Sequence, residues 1–133
     1  MNGPPLFLAR HTVLEIHDEQ IAEHGGDPGL RDEGLLESAL AQPQAQFGGE
    51  WLHRDVFEMA AAYVFHLTGN HPFVDGNKRT ALGAALLFLA ANGHRVIGEG
   101  TELADLVLEM IERRRDKSWI AARLRERSLR REV

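Results

Sequence analysis

The 133-residue sequence contains no cysteine, and this absence excludes disulfides, thiolate metal sites and cysteine nucleophiles. It also lacks a long hydrophobic run, because the longest apolar stretch, Ala81–Ala91, falls well short of the roughly 20 residues that a membrane-spanning helix needs. The first segment, Met1–Arg10, has two prolines and no hydrophobic core of a secretory signal. We therefore predict a cytoplasmic protein without a membrane partner.

An excess of positive charge is missing as well. The net charge is −5, so the composition gives no reason to expect direct contact with nucleic acid. Apolar residues make up 44% of the chain and charged residues 26%, as in an ordinary globular protein. The length suits one domain with one core, and we predict a single domain over residues 1–133.

Strand patterns are scarce, and the pattern that is present is helical periodicity. Apolar residues recur at helical spacing in two stripes: Val56, Met59, Ala60, Tyr63, Val64, Leu67 and Leu103, Leu106, Val107, Met110, Ile111. The stripes predict helices over about Arg54–Thr68 and Glu102–Arg114, the second with Thr101 as its N-cap. Weaker patterns predict three further helices, at Thr12–Glu23, Asp32–Gln42 and Ser118–Arg130, with Asp32 and Ser118 as the caps of the second and third.

The segment Asn77–Asn92 is apolar nearly all round after its first turn. A helix of this kind is buried by neighbours on several sides, and Gly83 in its middle predicts the close approach of another helix. The expected fold is therefore all-α, with this helix buried at its centre. Between the helices, Pro43–His53 could form a short extended flap and Arg95–Gly100 a brief strand.

The residues with the most chemistry lie together in His71–Arg79, with the sequence HPFVDGNKR. The first N–H groups of a helix that begins near Asn77 carry partial positive charge and form an anion site. Gly76 lets a phosphate approach the backbone closely. Lys78 and Arg79 stand in the first turn, where each cation costs on the order of 0.3–1 kcal/mol, and a bound polyphosphate would offset this cost.

The same segment offers a metal ligand and a base. Asp75 is a hard oxygen ligand suited to Mg²⁺, and His71 can accept a proton from an incoming hydroxyl. Each residue also has a plainer explanation: Asp75 as a helix cap, Lys78 and Arg79 as solvated cations, and Asn77 as a partner of local backbone groups. Their coincidence in one short segment favours a phosphoryl- or nucleotidyl-transfer site.

The segment resembles the signature of the Fic/Doc family, H-x-F-x-[DE]-[AG]-N-[GK]-R. Upstream, Gly25-Gly26 and Pro28-Gly29 also resemble the Doc (death-on-curing) branch. The resemblance implies an all-α Fic/Doc fold and ATP-dependent modification of a protein hydroxyl. It also implies the role of each site residue: His71 as catalytic base, Asp75 as Mg²⁺ ligand, and phosphate binding by Gly76, Asn77, Lys78 and Arg79.

Within this family, Fic proteins mostly transfer AMP, whereas Doc proteins transfer the γ-phosphate, with elongation factor Tu as the known kind of substrate. Lys78 replaces the usual glycine of Fic-type sites, and Leu82 replaces their second arginine. Both departures resemble Doc, although Gly76 and Pro72 are closer to the Fic form. We predict a Doc-type toxin kinase that acts on a translation factor. AMP transfer is the alternative, and a catalytically silent antitoxin-binding regulator is the second.

Many Fic proteins inhibit themselves through a helix with the motif [ST]-x-x-x-E-[GN]. Here Ser128 and Glu132 are followed by Val133, so the motif is incomplete. The resemblance then implies inhibition in trans, by a Phd-like antitoxin whose disordered tail folds on the toxin.

Other residues are less informative. His17 and His24 lack metal-ligand spacing, and we expect both at the surface. We expect His66 to be partly buried and hydrogen-bonded. Phe47 and Trp51 are equally compatible with a flap and with the core.

Overall fold

A computed structural model describes residues 3–98 and 100–130. The described residues form six helices: α1 (Arg10–His24), α2 (Glu33–Ala41), α3 (Val56–Asn70), α4 (Asn77–Ala91), α5 (Gly100–Glu112) and α6 (Lys117–Glu126). They also form four short strands: β1 (Gln46–Phe47), β2 (Glu50–Trp51), β3 (His94–Val96) and β4 (Ser128–Arg130). The strands pair antiparallel, β1 with β2 and β3 with β4. The predicted all-α fold is confirmed.

Aspartate side chains start three of these helices. Asp32, Asp55 and Asp116 each accept a hydrogen bond from the N–H three residues later, at 2.9, 2.9 and 3.0 Å. Such caps satisfy an N–H that has no partner within the helix and place negative charge at the positive end of its dipole. The prediction of Asp32 as a cap is confirmed. Ser118 is wrong as the cap of α6, because Asp116 takes this position, and Thr101 lies inside the first turn of α5.

The buried helix α4 packs against α1, α3, α5 and β3, as its apolar surface predicts. A Cβ atom on Gly83 would lie 2.9 Å from the Cγ2 atom of Ile16 in α1, so the predicted close approach of a second helix is confirmed. The helix ends at Ala91 with Asn92 as its C-cap, and Gly93 follows with a φ of 92°. This left-handed conformation is readily adopted by glycine and is common just after a helix.

The loop Pro43–His53 forms a small hairpin, so the expected short extended segment is confirmed, whereas its role as a flap stays a prediction. Its strands β1 and β2 pair around Gly48-Gly49, which both have positive φ. Phe47 near the tip is 85% exposed, whereas the Trp51 ring packs 5.4 Å from that of Phe7. Phe47 therefore lies on the exposed hairpin, and Trp51 lies at the edge of the core.

The C-terminal helix is shorter than the sequence predicts. Helix α6 ends at Glu126, and residues 128–130 form β4 beside β3. The extension to Arg130 is wrong because strand pairing replaces the helix there, and the Ile97 N–H donates to the Arg127 carbonyl at 2.7 Å. No proline or glycine marks this change in the sequence. The brief strand expected within Arg95–Gly100 lies slightly earlier, at His94–Val96.

Two histidines and a lysine meet where α3 packs against α6. The Lys117 ammonium lies 3.0 Å from Nε2 of His66 and 3.2 Å from Nε2 of His53. Burial, and secondarily the Lys117 charge, lowers the pKa of His66 to about 4. The same two causes lower the pKa of His53, and the Glu58 charge opposes this second shift. Burial lowers the pKa of Lys117 as well. The prediction of a partly buried, hydrogen-bonded His66 is confirmed.

This cluster predicts a loss of stability in mild acid. Both imidazoles bind protons less readily in the folded protein than in the unfolded chain. The stability they contribute is therefore complete above about pH 6.5 and is lost as the pH falls from there towards 4. The free energy of unfolding of the wild type should fall between pH 7 and pH 5. In His66→Gln we expect this fall to be smaller by about 1 kcal/mol, a figure that allows for partial solvent screening.

Urea denaturation of the wild type and the variant at both pH values checks this prediction. The matched control is His24→Gln, because His24 is exposed on α1 and should leave the acid sensitivity of the wild type unchanged. Equal losses in the wild type and in His66→Gln would contradict the assignment.

Candidate active site

The predicted site residues lie in the loop between α3 and α4 and in the first turn of α4. Helix α3 ends because His71 adopts the left-handed conformation, with φ 52° and ψ 55°, before Pro72. A positive φ is uncommon outside glycine. It turns the chain sharply and leaves the His71 side chain exposed.

Phe73 anchors this loop in the core. Its side chain is 1% exposed, and its ring stacks on that of His17, with centroids 3.8 Å apart. Its backbone N–H and carbonyl both bond the Asn77 side-chain amide at 2.9 Å. The Asn77 amide thus satisfies local backbone groups, the plainer of its two explanations. Contact of Asn77 with a phosphate stays a prediction.

His17 is part of the site's foundation, and its prediction as a surface residue is wrong. It is 2% exposed, and its Nε2–H donates to the backbone carbonyl of Asp75 at 2.8 Å. Val13, His17 and Ile21 follow one another at helical spacing on the face of α1 that packs inward. This spacing could have indicated burial. His24, further along α1, is exposed as expected.

The Asp75 carboxylate is held beside the loop and does not cap α4. The N-cap is Gly76, with φ 81°, and no side chain among the described residues caps the helix. Oδ2 of Asp75 accepts a hydrogen bond from the Asp27 N–H at 2.7 Å. Among the described residues, Oδ1 has no hydrogen-bond partner. The capping alternative for Asp75 is therefore wrong, and one oxygen of an exposed carboxylate remains available for a ligand.

The start of α4 presents positive charge without an internal counter-charge. Its first turn contains no acidic residue, and helical geometry leaves the N–H groups of residues 77–79 without intrahelical partners. Lys78 and Arg79 are exposed. Neither forms an ion pair within the described part of the chain. An anion at this end would gain both the helix dipole and two free cations.

All of the predicted site residues line one cavity of about 630 Å³. The polar wall consists of His71 and residues 75–79. The opposite wall is apolar and consists of Leu82 and four residues of α5: Ala104, Val107, Leu108 and Ile111. The α5 stripe predicts a buried face, but its last member, Ile111, remains 42% exposed because it faces this cavity. Leu108, which lies outside the stripe, also faces the cavity and is 40% exposed. The sequence identifies the helix and misses its contribution to the site.

A second chain segment, residues 26–32, supports the loop from outside. The Val74 N–H donates to the Gly29 carbonyl at 3.0 Å, and the N–H groups of Arg31 and Asp32 donate to the Pro72 carbonyl at 2.7 and 3.0 Å. A Cβ atom on Gly26, whose φ is 116°, would lie 3.0 Å from the Cβ of Asp75. The segment therefore needs a glycine next to Asp75. Of these residues, sequence patterns single out only the glycine turns.

The fold and the site together define an all-α domain built around the buried helix α4. The loop that leads into this helix contains His71 and Asp75. The chain belongs to the Fic/Doc family, because the profile of the Fic/DOC family matches residues 7–89, a range that contains the whole signature. It is 40% identical over 101 residues to "Protein kinase doc" of Escherichia phage P1, covering 76% of this chain and 79% of that protein. It is 41% identical over 120 residues to "Toxin Doc" of Mycolicibacterium smegmatis, covering 89% and 90%.

The comparisons confirm the family resemblance. They also confirm the Doc branch, which both relatives carry in their names. Among the described residues, no helix is long and apolar enough to cross a membrane.

Proposed function

We propose that this protein is a Doc-type toxin kinase, which transfers the γ-phosphate of ATP to a hydroxyl of a translation factor such as elongation factor Tu. The observation that carries the proposal is that His71, Asp75 and the start of α4, whose two cations have no ion-pair partner in the described part of the chain, line the same cavity. A relative 40% identical to this chain is named as a protein kinase.

The cavity has a polar, cationic wall and an apolar wall, and ATP has a charged triphosphate and a flat adenine ring that match them. The triphosphate would lie at the N-terminus of α4, where Lys78 and Arg79 stand without ion-pair partners in the described residues. A bound polyphosphate would offset the cost of cations at this end, about 0.3–1 kcal/mol each. The adenine ring and the ribose would lie towards Leu82 and the apolar wall from α5.

A magnesium ion fits the donor set around Asp75. The described residues contain no group of three or more side chains that could hold a metal by themselves. Mg²⁺, however, is usually bound through one or two carboxylates together with substrate phosphates. The free Oδ1 atom of Asp75 supplies one such carboxylate oxygen, so the metal would bind together with the nucleotide. When bound, it would neutralise charge on the phosphates.

His71 would act as the general base. Its exposed imidazole borders the cavity, so an incoming hydroxyl can reach it. The base accepts the hydroxyl proton as the oxygen bonds to the γ-phosphorus. The bond from that phosphorus to the bridging oxygen breaks, and ADP leaves. Positioning and charge neutralisation carry most of such a transfer, and the loop and the start of α4 provide both.

Two residues favour γ-phosphate transfer over AMP transfer. Leu82 lines the cavity at the position where Fic-type sites carry their second arginine, and Lys78 fills the position of their usual glycine. An AMP transferase would thus lack one phosphate-binding cation here. Pro72 and Gly76, which have the Fic form, keep AMP transfer as the second candidate.

We also infer an antitoxin partner of the Phd kind, with a disordered tail, and a cytoplasmic location. One relative is named as a toxin, and toxins of this kind act in pairs with an inhibitor. Residues 128–130 form β4, so the incomplete self-inhibition motif starts in a strand where the motif requires a helix. Glu132 and Val133 lie outside the described residues. Inhibition by a separate chain is therefore the better supported arrangement.

Labelled ATP distinguishes the two reactions. Incubation with Mg²⁺, elongation factor Tu and γ-labelled ATP should label the factor and release ADP. With α-labelled ATP, the factor should remain unlabelled. Label that arrives only from the α-position, with release of pyrophosphate, would overturn the kinase proposal and establish AMP transfer. The variant His71→Asn is the blank for both reactions.

A further inference from the structure

We propose that Arg31 is a positioning residue for His71: its guanidinium clamps the end of α3 and thereby sets the direction of the catalytic imidazole. The inference rests on the proposed role of His71 as the base. Arg31 lies outside the signature segment, 40 positions from His71 in the chain, and no pattern in the sequence connects the two.

The clamp consists of bonds to three consecutive carbonyls. The Arg31 guanidinium donates from Nε to the His71 carbonyl at 2.7 Å and from Nη2 to the Asn70 carbonyl at 3.0 Å. The backbone N–H of Arg31 donates to the next carbonyl, that of Pro72, at 2.7 Å. The last carbonyls of a helix lack partners and carry partial negative charge, so a planar cation with several donors suits them.

The His71 ring depends on this backbone for its orientation. Within the described residues, neither of its ring nitrogens has a hydrogen-bond partner. Catalytic histidines are commonly oriented by a bond to the second ring nitrogen. Here the left-handed backbone of His71, fixed through its own carbonyl, takes over this function. A shift of the turn would therefore move the base directly.

The clamp can be removed without removing the fold. Arg31 is exposed and contributes nothing to the buried core. Its backbone bond to Pro72, and that of Asp32, remain in any side-chain variant. The phosphate-binding groups lie on α4, beyond the turn that Arg31 holds. Loss of the guanidinium should therefore change the catalytic step more than the binding of ATP.

The experiment compares Arg31→Met, Arg31→Lys and the wild type in γ-phosphate transfer. Rates are corrected for the folded fraction, measured by circular dichroism. We expect Arg31→Met to lower kcat about tenfold or more, since misplacement of a catalytic group by about 1 Å costs up to roughly 100-fold. The KM for ATP should stay within about twofold. Arg31→Lys keeps the charge and a donor for one carbonyl, and should recover part of the rate.

Arg125→Met is the matched control. Arg125 is also exposed and serves the other end of α3, where it pairs with the cap residue Asp55 at 2.8 Å. Its loss should leave kcat unchanged at equal folded fraction. An Arg31→Met enzyme with wild-type kcat, or with a loss that only follows the folded fraction, would overturn the inference.

A spectroscopic measurement separates this inference from the proposed function. The His71 ring resonances are assigned by their loss in His71→Asn. Arg31→Met should shift or broaden them, whereas Arg125→Met should not. Failure of the wild type to transfer phosphate would overturn the proposed function alone, because the NMR comparison needs no activity. Unchanged His71 resonances in Arg31→Met would overturn the positioning role, whatever the reaction is.

Discussion

Replacement of His71 by asparagine should lower the rate of phosphoryl transfer by about 10²–10⁴-fold, the usual contribution of a positioned general base. The side chain is exposed and borders the cavity, so its removal costs no core packing. Asparagine suits the position because, among non-glycine residues, it adopts positive φ comparatively well, and His71 has a φ of 52°. The loop should keep its shape while the base is lost. Initial rates with γ-labelled ATP measure the effect.

His66→Gln is the matched control for this variant. His66 lies on the same helix, five positions earlier, but bonds Lys117 and does not line the cavity. Its replacement should leave the rate unchanged at neutral pH. If His71→Asn transferred phosphate as fast as the wild type, His71 would not be the base. If it also inhibited growth as strongly as the wild type, the catalytically silent regulator would become the better hypothesis.

The main helices could be predicted because local physics determines them. The stripe from Val56 to Leu67 faces the core in α3, and its buried members include Met59, Tyr63 and Val64. The continuous apolar surface of α4 predicts burial on several sides, which the packing of four elements around it confirms. Gly83 marks the approach of Ile16 correctly, because a missing side chain in a helix leaves room for a neighbour.

The larger failures have the opposite cause, since they depend on residues that are distant in sequence. His17 is buried because it meets the backbone of Asp75, 58 positions later. Residues 128–130 form a strand because β3 offers a free edge, although their local sequence continues a helical pattern. Arg31 bonds the end of α3 from 40 positions away. A single sequence contains no record of such pairings.

The candidate site falls between these two cases. The signature segment concentrates its chemistry in consecutive residues, so His71, Asp75 and the start of α4 could be identified without the fold. The apolar wall from α5 could not, because the stripe that contains Val107 and Ile111 has the same spacing whether it faces the core or a cavity. The sequence thus predicts the groups that would bind phosphate and metal. Three-dimensional packing supplies the wall against which a nucleotide base would lie.

Replacement of Asp75 by asparagine should remove the Mg²⁺-dependent part of ATP affinity. Asparagine retains an oxygen that can accept the bond from the Asp27 N–H, which Oδ2 of Asp75 now accepts at 2.7 Å. The loop should therefore persist while the negative charge and the free carboxylate oxygen are lost. We expect the affinity for ATP in the presence of Mg²⁺ to fall at least about tenfold, because loss of even an indirect metal partner costs roughly 10–100-fold in affinity.

Calorimetric titration with ATP, with Mg²⁺ and with EDTA, measures this effect. The wild type in EDTA should bind ATP as weakly as Asp75→Asn does in Mg²⁺, and the variant should show little response to the metal. Asp27→Asn is the matched control: it changes a neighbouring exposed carboxylate whose Oδ1 accepts the Gly29 N–H at 2.7 Å, and it keeps the backbone bond to Asp75. It should respond to Mg²⁺ like the wild type. If Mg²⁺ raised the ATP affinity of Asp75→Asn as much as that of the wild type, Asp75 would not be the metal ligand.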